Sequence, residues 1–203
     1  TVPGNGRIEQ PPRKKERLLV TELIADGPVA SLSFDPGDAG SLGWGTDNGI
    51  ECARDLRTQG ELFCTRRQPV TQVGFSPDSS AWFCLSEGKL HRRDRKKLPN
   101  AINGSGTISL PNARIVQFAF HPQQKLIALV FREEGKSSGG IVLRWLDGAY
   151  PALVKPLKGI ELPTSFAFAQ DGLILLGGQV NGVVRIWNVL PDPDAGLVLG
   201  EAR

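Results

Sequence analysis

Apolar and polar positions alternate in short runs along most of this chain, and the alternation recurs. Four stretches carry it: "VASLSFDPGDAGSLGWGTDNGIECARDL" from Val29, "VTQVGFSPDSSAWFCLSEGKLHRRD" from Val70, "IVQFAFHPQQKLIALVFREEGKSSGGIVLRWLD" from Ile115 and "TSFAFAQDGLILLGGQVNGVVRIWNV" from Thr164. Each reads as three apolar runs of strand length separated by turns rich in Pro, Gly, Asp and Asn. The first run of each ends on a Phe, and Phe34, Phe75, Phe120 and Phe168 are spaced by 41, 45 and 48 residues. That spacing is an internal repeat of just over forty residues. A lone three-stranded meander leaves its faces uncovered, so each repeat needs neighbours of its own kind.

The turns after the Phe residues, "DPGD", "SPDS", "HPQQ" and "AQDG", differ in wording but share turn chemistry. A Gly opens the third run of each repeat at Gly49, Gly88, Gly140 and Gly182. Counting five residues on from each places Arg54, Arg93, Trp145 and Trp187 at the end of the third strand. Fourth strands are expected between the motifs, at 60–67, 104–111 and 150–157, with 17–24 and 196–202 as outer strands on either side. Residues 1–15 combine Pro, Gly and charge with almost nothing to bury and are expected to form a flexible basic tail or linker. The repeats then fall near 29–67, 70–110, 115–157 and 164–199.

The pattern "V-x-x-V-x-F-S-P-D" leading to "G-x-V-x-x-W-D/N" resembles the WD-repeat β-propeller family, from Val29 to Val189. The resemblance implies an all-β fold of four-stranded antiparallel blades around an axis, with about four blades here. "NGVVRIWNV" follows the family pattern closely, whereas "GIECARDL" and "GKLHRRD" put Arg where Trp is expected. The family's Gly-His pair is absent, since His91 and His121 are the only two His and fall elsewhere. Such rings usually hold seven or eight blades, which needs roughly 300 residues. Four motifs imply a partial ring completed by another chain or fragment, by a second copy, or by closure of four blades.

Composition fits that reading, with 40% apolar residues, 24 Gly and 15 Pro in 203 residues. No run approaches eighteen apolar residues and no apolar segment follows a basic start, so neither a membrane span nor a secretory signal is expected. The chain begins on Thr1 and contains no Met, so it is expected to be a processed product or a piece of a longer protein. The net charge of +3 resides in the first twenty residues, unlike a uniformly basic nucleic-acid-binding domain. Cys52, Cys64 and Cys84 show no zinc spacing and are expected to be reduced, buried thiols of a cytoplasmic protein, without metal or cofactor.

Catalytic motifs are lacking: there is no Gly-x-Ser-x-Gly elbow, HExxH or phosphate loop, and His121 reads as a surface turn residue. The sharpest local feature is "HRRDRKK" from His91 to Lys97, five cations in six residues at a strand end. On a propeller this turn lies at a rim, where it suits an acidic protein segment. Candidate partner-binding residues are Arg66, Arg67, Gln68, Arg92, Arg93, Arg95, Lys96 and Lys97. Aromatic residues for base stacking are missing nearby, which disfavours nucleic acid. The function expected is a non-catalytic scaffold for protein partners within a larger signalling or multi-subunit protein, with a purely structural subunit packed inside a large assembly as the alternative, and a propeller-based enzyme or a nucleic-acid-binding module ranked behind it.

Overall fold

Each repeat closes into one four-stranded antiparallel meander. A computed structural model describes residues 25–58, 60–66, 68–97, 106–147, 156–194 and 196–201. The first sheet holds β1 (Val29–Asp35), β2 (Asp38–Thr46), β3 (Ile50–Asp55) and β4 (Glu61–Arg66). The second holds β5 (Val70–Phe75), β6 (Ala81–Ser86), β7 (Lys89–Asp94) and β8 (Gly106–Ile108), with a short 3₁₀ turn at Arg95–Lys97 after β7. The third is formed by β9 (Ala113–Phe120), β10 (Leu126–Glu133), β11 (Gly139–Trp145) and β12 (Leu157–Ile160). The fourth is formed by β13 (Ser165–Phe168), β14 (Ile174–Gly178), β15 (Val184–Asp192) and β16 (Gly196–Glu201). The expected tail at 1–15 and the expected strand at 17–24 lie outside the described residues.

The sheets stack in chain order through the two faces that strand alternation creates. Ala53 and Phe63 of the first sheet pack with Val73, Phe75 and Trp82 of the second. Phe83, Leu85 and Leu90, on the second sheet's other face, meet Phe118, Ile127 and Leu129 of the third. Ala128, Val130 and Ile141 then meet Leu175 and Trp187 of the fourth. Among the described residues, none of these clusters joins the first sheet to the fourth.

Side-chain straps tie each sheet's first strand to the sheet that follows. They come from the residue three before the repeated Phe, with one further strap from Ser33. Val73 N donates to Ser31 Oγ at 3.1 Å and Phe75 N to Ser33 Oγ at 3.4 Å. Gln72 Nε2 donates to Phe118 O at 2.8 Å while Phe118 N donates to Gln72 Oε1 at 2.9 Å. Gln117 Nε2 continues the series by donating to Thr164 O at 2.7 Å. The fourth member of this column is Ser165, on the far side of the last sheet.

Register corrects the motif count in the third repeat. Phe34, Phe75, Phe120 and Phe168 pair with Leu42, Trp82, Ile127 and Leu175, whose partners on the third strands are Arg54, Arg93, Arg144 and Trp187. Arg144, not Trp145, therefore occupies the Trp187 position. The cause is the longer β10–β11 connection. Gly49, Gly88 and Gly182 have φ of 92°, 76° and 82°, the left-handed backbone that favours Gly, but in the third repeat that conformation falls on Gly135 at 73°. Gly140 is already inside the strand.

Two further expectations change. The third sheet's outer strand begins at Leu157 rather than running over 150–157, of which 150–155 lie outside the described residues. The expectation of three reduced thiols fails for one pair: Cys52 and Cys64 stand opposite one another on β3 and β4, 4.2 Å apart at Cα, and are joined in a disulfide. Antiparallel pairing brings together residues twelve apart that the linear spacing left unrelated. Cys84 lies outside the disulfide, and it is buried. The reduced-thiol argument for a cytoplasmic location is thereby lost. Among the described residues, no helix is long and apolar enough to cross a membrane.

Candidate partner-binding surface

Alternation along β7 divides the basic run between opposite faces of the second sheet. Arg92 points toward the third sheet and is half-buried. Arg93 points toward the first sheet, where it is 3% exposed and ion-paired with Glu51, itself 0% exposed. Its guanidinium also lies 5.7 Å from the centre of the Phe63 ring. Arg95 pairs with Asp35 and lies 3.5 Å from Asp38 Oδ2, crossing to the first sheet at the turn. Arg93 is thus an inter-sheet tie rather than a rim residue, and Arg95 is held mainly by two carboxylates. Lys96 is exposed, its backbone N donating to Asp94 Oδ1 at 3.1 Å, and Lys97 closes the same 3₁₀ turn.

The other candidates lie elsewhere. Arg66 ends β4 and is exposed, as is Gln68, whose carbonyl accepts from Ser86 Oγ at 3.2 Å. In an antiparallel meander β4 ends where β5 begins, so these residues sit at the opposite end of the sheets from Arg95–Lys97. Arg67 lies outside the described residues. The structure therefore does not gather the seven described candidates into one surface.

Beside Arg92 a cleft of about 320 Å³ opens where the second and third sheets meet. It is lined by the post-Phe turns of both repeats, including Ser76, Asp78, Gln124 and Lys125, and by Asp147. Burial opposes ionisation of Asp78, but Ser76 Oγ and Ser80 Oγ, each donating at 2.7 Å, outweigh it. With Ser80 N and Lys125 they hold the carboxyl below its ordinary range. Lys125 Nζ lies 3.8 Å from Asp78 Oδ2. The cleft thus carries two cationic side chains beside fixed carboxylates, with an apolar floor of Ala81, Phe83 and Leu146.

Asp35, Ser76 and His121 each follow the repeated Phe, and each is buried as a cap of its own turn. Gly37 N donates to Asp35 Oδ1 at 3.0 Å, and Ala81 N donates to Ser76 Oγ at 3.0 Å. Gln123 N and Gln124 N donate to His121 Nδ1 at 3.2 and 3.1 Å. His121 also packs edge-on against Phe168 at 5.2 Å, so it is a buried joint between the third and fourth sheets, not a surface turn residue. Burial lowers its pKa below the ordinary 6.5, more than the Gly172 backbone and Asp171 raise it. The sequence signalled these caps only through their shared position after Phe.

Among the described residues, no group of three or more His, Cys, Asp or Glu is placed to hold a metal ion. No family model matches the chain, and no curated protein sequence matches it.

Proposed function

We propose that this chain is a run of four blades of a WD-repeat-type β-propeller. Its role is that of a non-catalytic scaffold that holds protein segments at the end of the sheets where the post-Phe turns lie. The observation that carries this reading is the cleft between the second and third sheets. Two adjacent repeats supply its walls, and Arg92 and Lys125 stand over an apolar floor. Lys96 adds exposed positive charge from the turn that follows β7. A fitting occupant is an acidic protein segment with an apolar residue. Rigid sheets that carry variable turns support binding of this kind without chemistry.

The test is fluorescence anisotropy with a labelled Glu- and Leu-containing peptide against its Lys-substituted counterpart. The acidic peptide is expected to bind more tightly, with an affinity that falls as salt rises. The triple substitution Arg92→Ser, Lys96→Ser and Lys125→Ser should weaken binding and flatten the salt dependence. Equal binding of both peptides, or a triple variant that behaves as the parent, would remove the cleft from the account.

The apolar end faces favour a second reading, in which the four sheets serve as a structural portion of a larger assembly. Leu32, Phe34, Val184 and Ile186 are all exposed at those ends.

A further inference from the structure

The interface between consecutive sheets is built three times within the chain, always from the same two sets of positions. On the forward face, one column contains Glu51, Leu90, Ile141 and Val184, and another contains Gly43, Phe83, Ala128 and Leu176. Every member from the first three sheets is buried, whereas Val184 is 64% exposed and Leu176 36%. Ile186, beside them, is 44% exposed.

The backward face repeats this asymmetry at the other end. Val73 and Phe75 are buried against the first sheet and Phe118 against the second, but their counterparts Leu32 and Phe34 are 61% and 56% exposed. The straps obey the same rule: Ser31 and Gln72 engage backbone two residues before the next repeated Phe, Gln117 engages the Thr164 carbonyl just before β13, and Ser165 is exposed. The backbone equivalent to Val73 and Phe118 in the first sheet is that of Leu32. Phe168, by contrast, faces the third sheet with His121 and is not part of the open end.

The fourth sheet thus presents the forward half of this interface, and the first sheet presents the β1 side of the backward half at Leu32 and Phe34, whereas Trp44, Ile50 and Cys52 on the same face are already buried with Ala25. We propose that the chain associates head to tail with a second copy of itself. Leu176, Val184 and Ile186 of each copy cover Leu32 and Phe34 of the other, and Ser165 engages the Leu32 backbone. Two such contacts related by a two-fold axis close a ring of eight sheets. Strand spacing and rise give each four-stranded face about 300 Å² of projected area. Both ends of each copy are used, so each partner contributes at most about 600 Å² before side-chain relief, less the part of the first sheet that Ala25 already covers, against the roughly 800 Å² of a stable interface. The ring rests on the blade reading proposed above, whereas the matching of the two faces rests on the repeated columns alone.

The proposal is tested by light-scattering mass of the full chain across a concentration series, with Ile186→Asp and Phe34→Asp as separate variants. Both side chains are exposed, and an unchanged thermal melt at low concentration shows that each variant folds. Leu176→Ser and Leu32→Ser serve as milder substitutes if either does not. The expected parent is a dimer, and each variant should dimerise at least tenfold more weakly. Mixing the two variants should recover a dimer, because one contact in the mixed pair retains both native faces. Three outcomes overturn the proposal: a monomeric parent at all concentrations, a dimer weakened by Ile186→Asp but not by Phe34→Asp, or growth into unlimited oligomers. Neither variant touches the cleft at Arg92, so acidic-peptide binding reports separately on the function proposed above.

Discussion

Arg93 occupies the strand position that Trp187 fills in the fourth sheet, and it faces Glu51, whose counterparts are Leu90, Ile141 and Val184. The ion pair stands where the joint between the third and fourth sheets uses the apolar contact of Ile141 and Trp187. Removing one partner leaves a buried charge, which costs about 3–5 kcal/mol, whereas replacing both with packed apolar groups is often neutral. Arg93→Ala is therefore expected to lower the denaturation midpoint strongly, and the double substitution Glu51→Leu, Arg93→Trp to recover most of the loss. A double variant no better than the single would refute equivalence of the positions. At His121 the folded state disfavours the proton, so the unfolded chain binds it first as pH falls. The stabilisation is present in full above the unfolded pKa near 6.5 and is lost as pH falls through the lower folded value. Melting temperature should drop from pH 7.5 to 5.5, and His121→Ser, which restores the residue type found at Ser76, should show a shallower drop. Equal slopes would place the titration elsewhere.

At the scale of elements, the alternating strands, their Phe ends and the turns after them were legible in the sequence, because period-two burial and turn chemistry are local. The basic run shows where that legibility stops. Its residues are contiguous in sequence, but a strand sends Arg92 and Arg93 to opposite faces, and only the neighbouring sheet decides that Arg93 meets Glu51. Likewise, Cys52 and Cys64 become partners through β3–β4 register, and the long β10–β11 connection moves Arg144 into the place that counting gave to Trp145. Close approach of sheets is equally invisible in one repeat. A Cβ at Gly43 would lie 2.3 Å from the Trp82 ring, so the first two sheets meet through a bare backbone. Gly43→Val is expected to cost about 1–3 kcal/mol by overpacking, read from urea denaturation. A variant as stable as the parent would mean the sheets are not held at this distance.

For the whole molecule, the central claim is that four equivalent sheets stack in order, each covering the forward face of the one before and leaving the last face open. Ile141 and Val184 hold the same position in the third and fourth sheets, one buried and the other exposed. The native cysteines provide a quiet background for thiol chemistry, since Cys52 and Cys64 are joined and Cys84 is buried. The most direct measurement is the alkylation rate of Ile141→Cys and of Val184→Cys under native conditions, from dilute to concentrated protein. The account predicts that the Ile141 variant reacts slowly at every concentration. The Val184 variant should react rapidly when dilute and more slowly as the second copy covers it. Equal rates for the two variants in dilute solution would contradict the stacked arrangement from which the rest of the account follows.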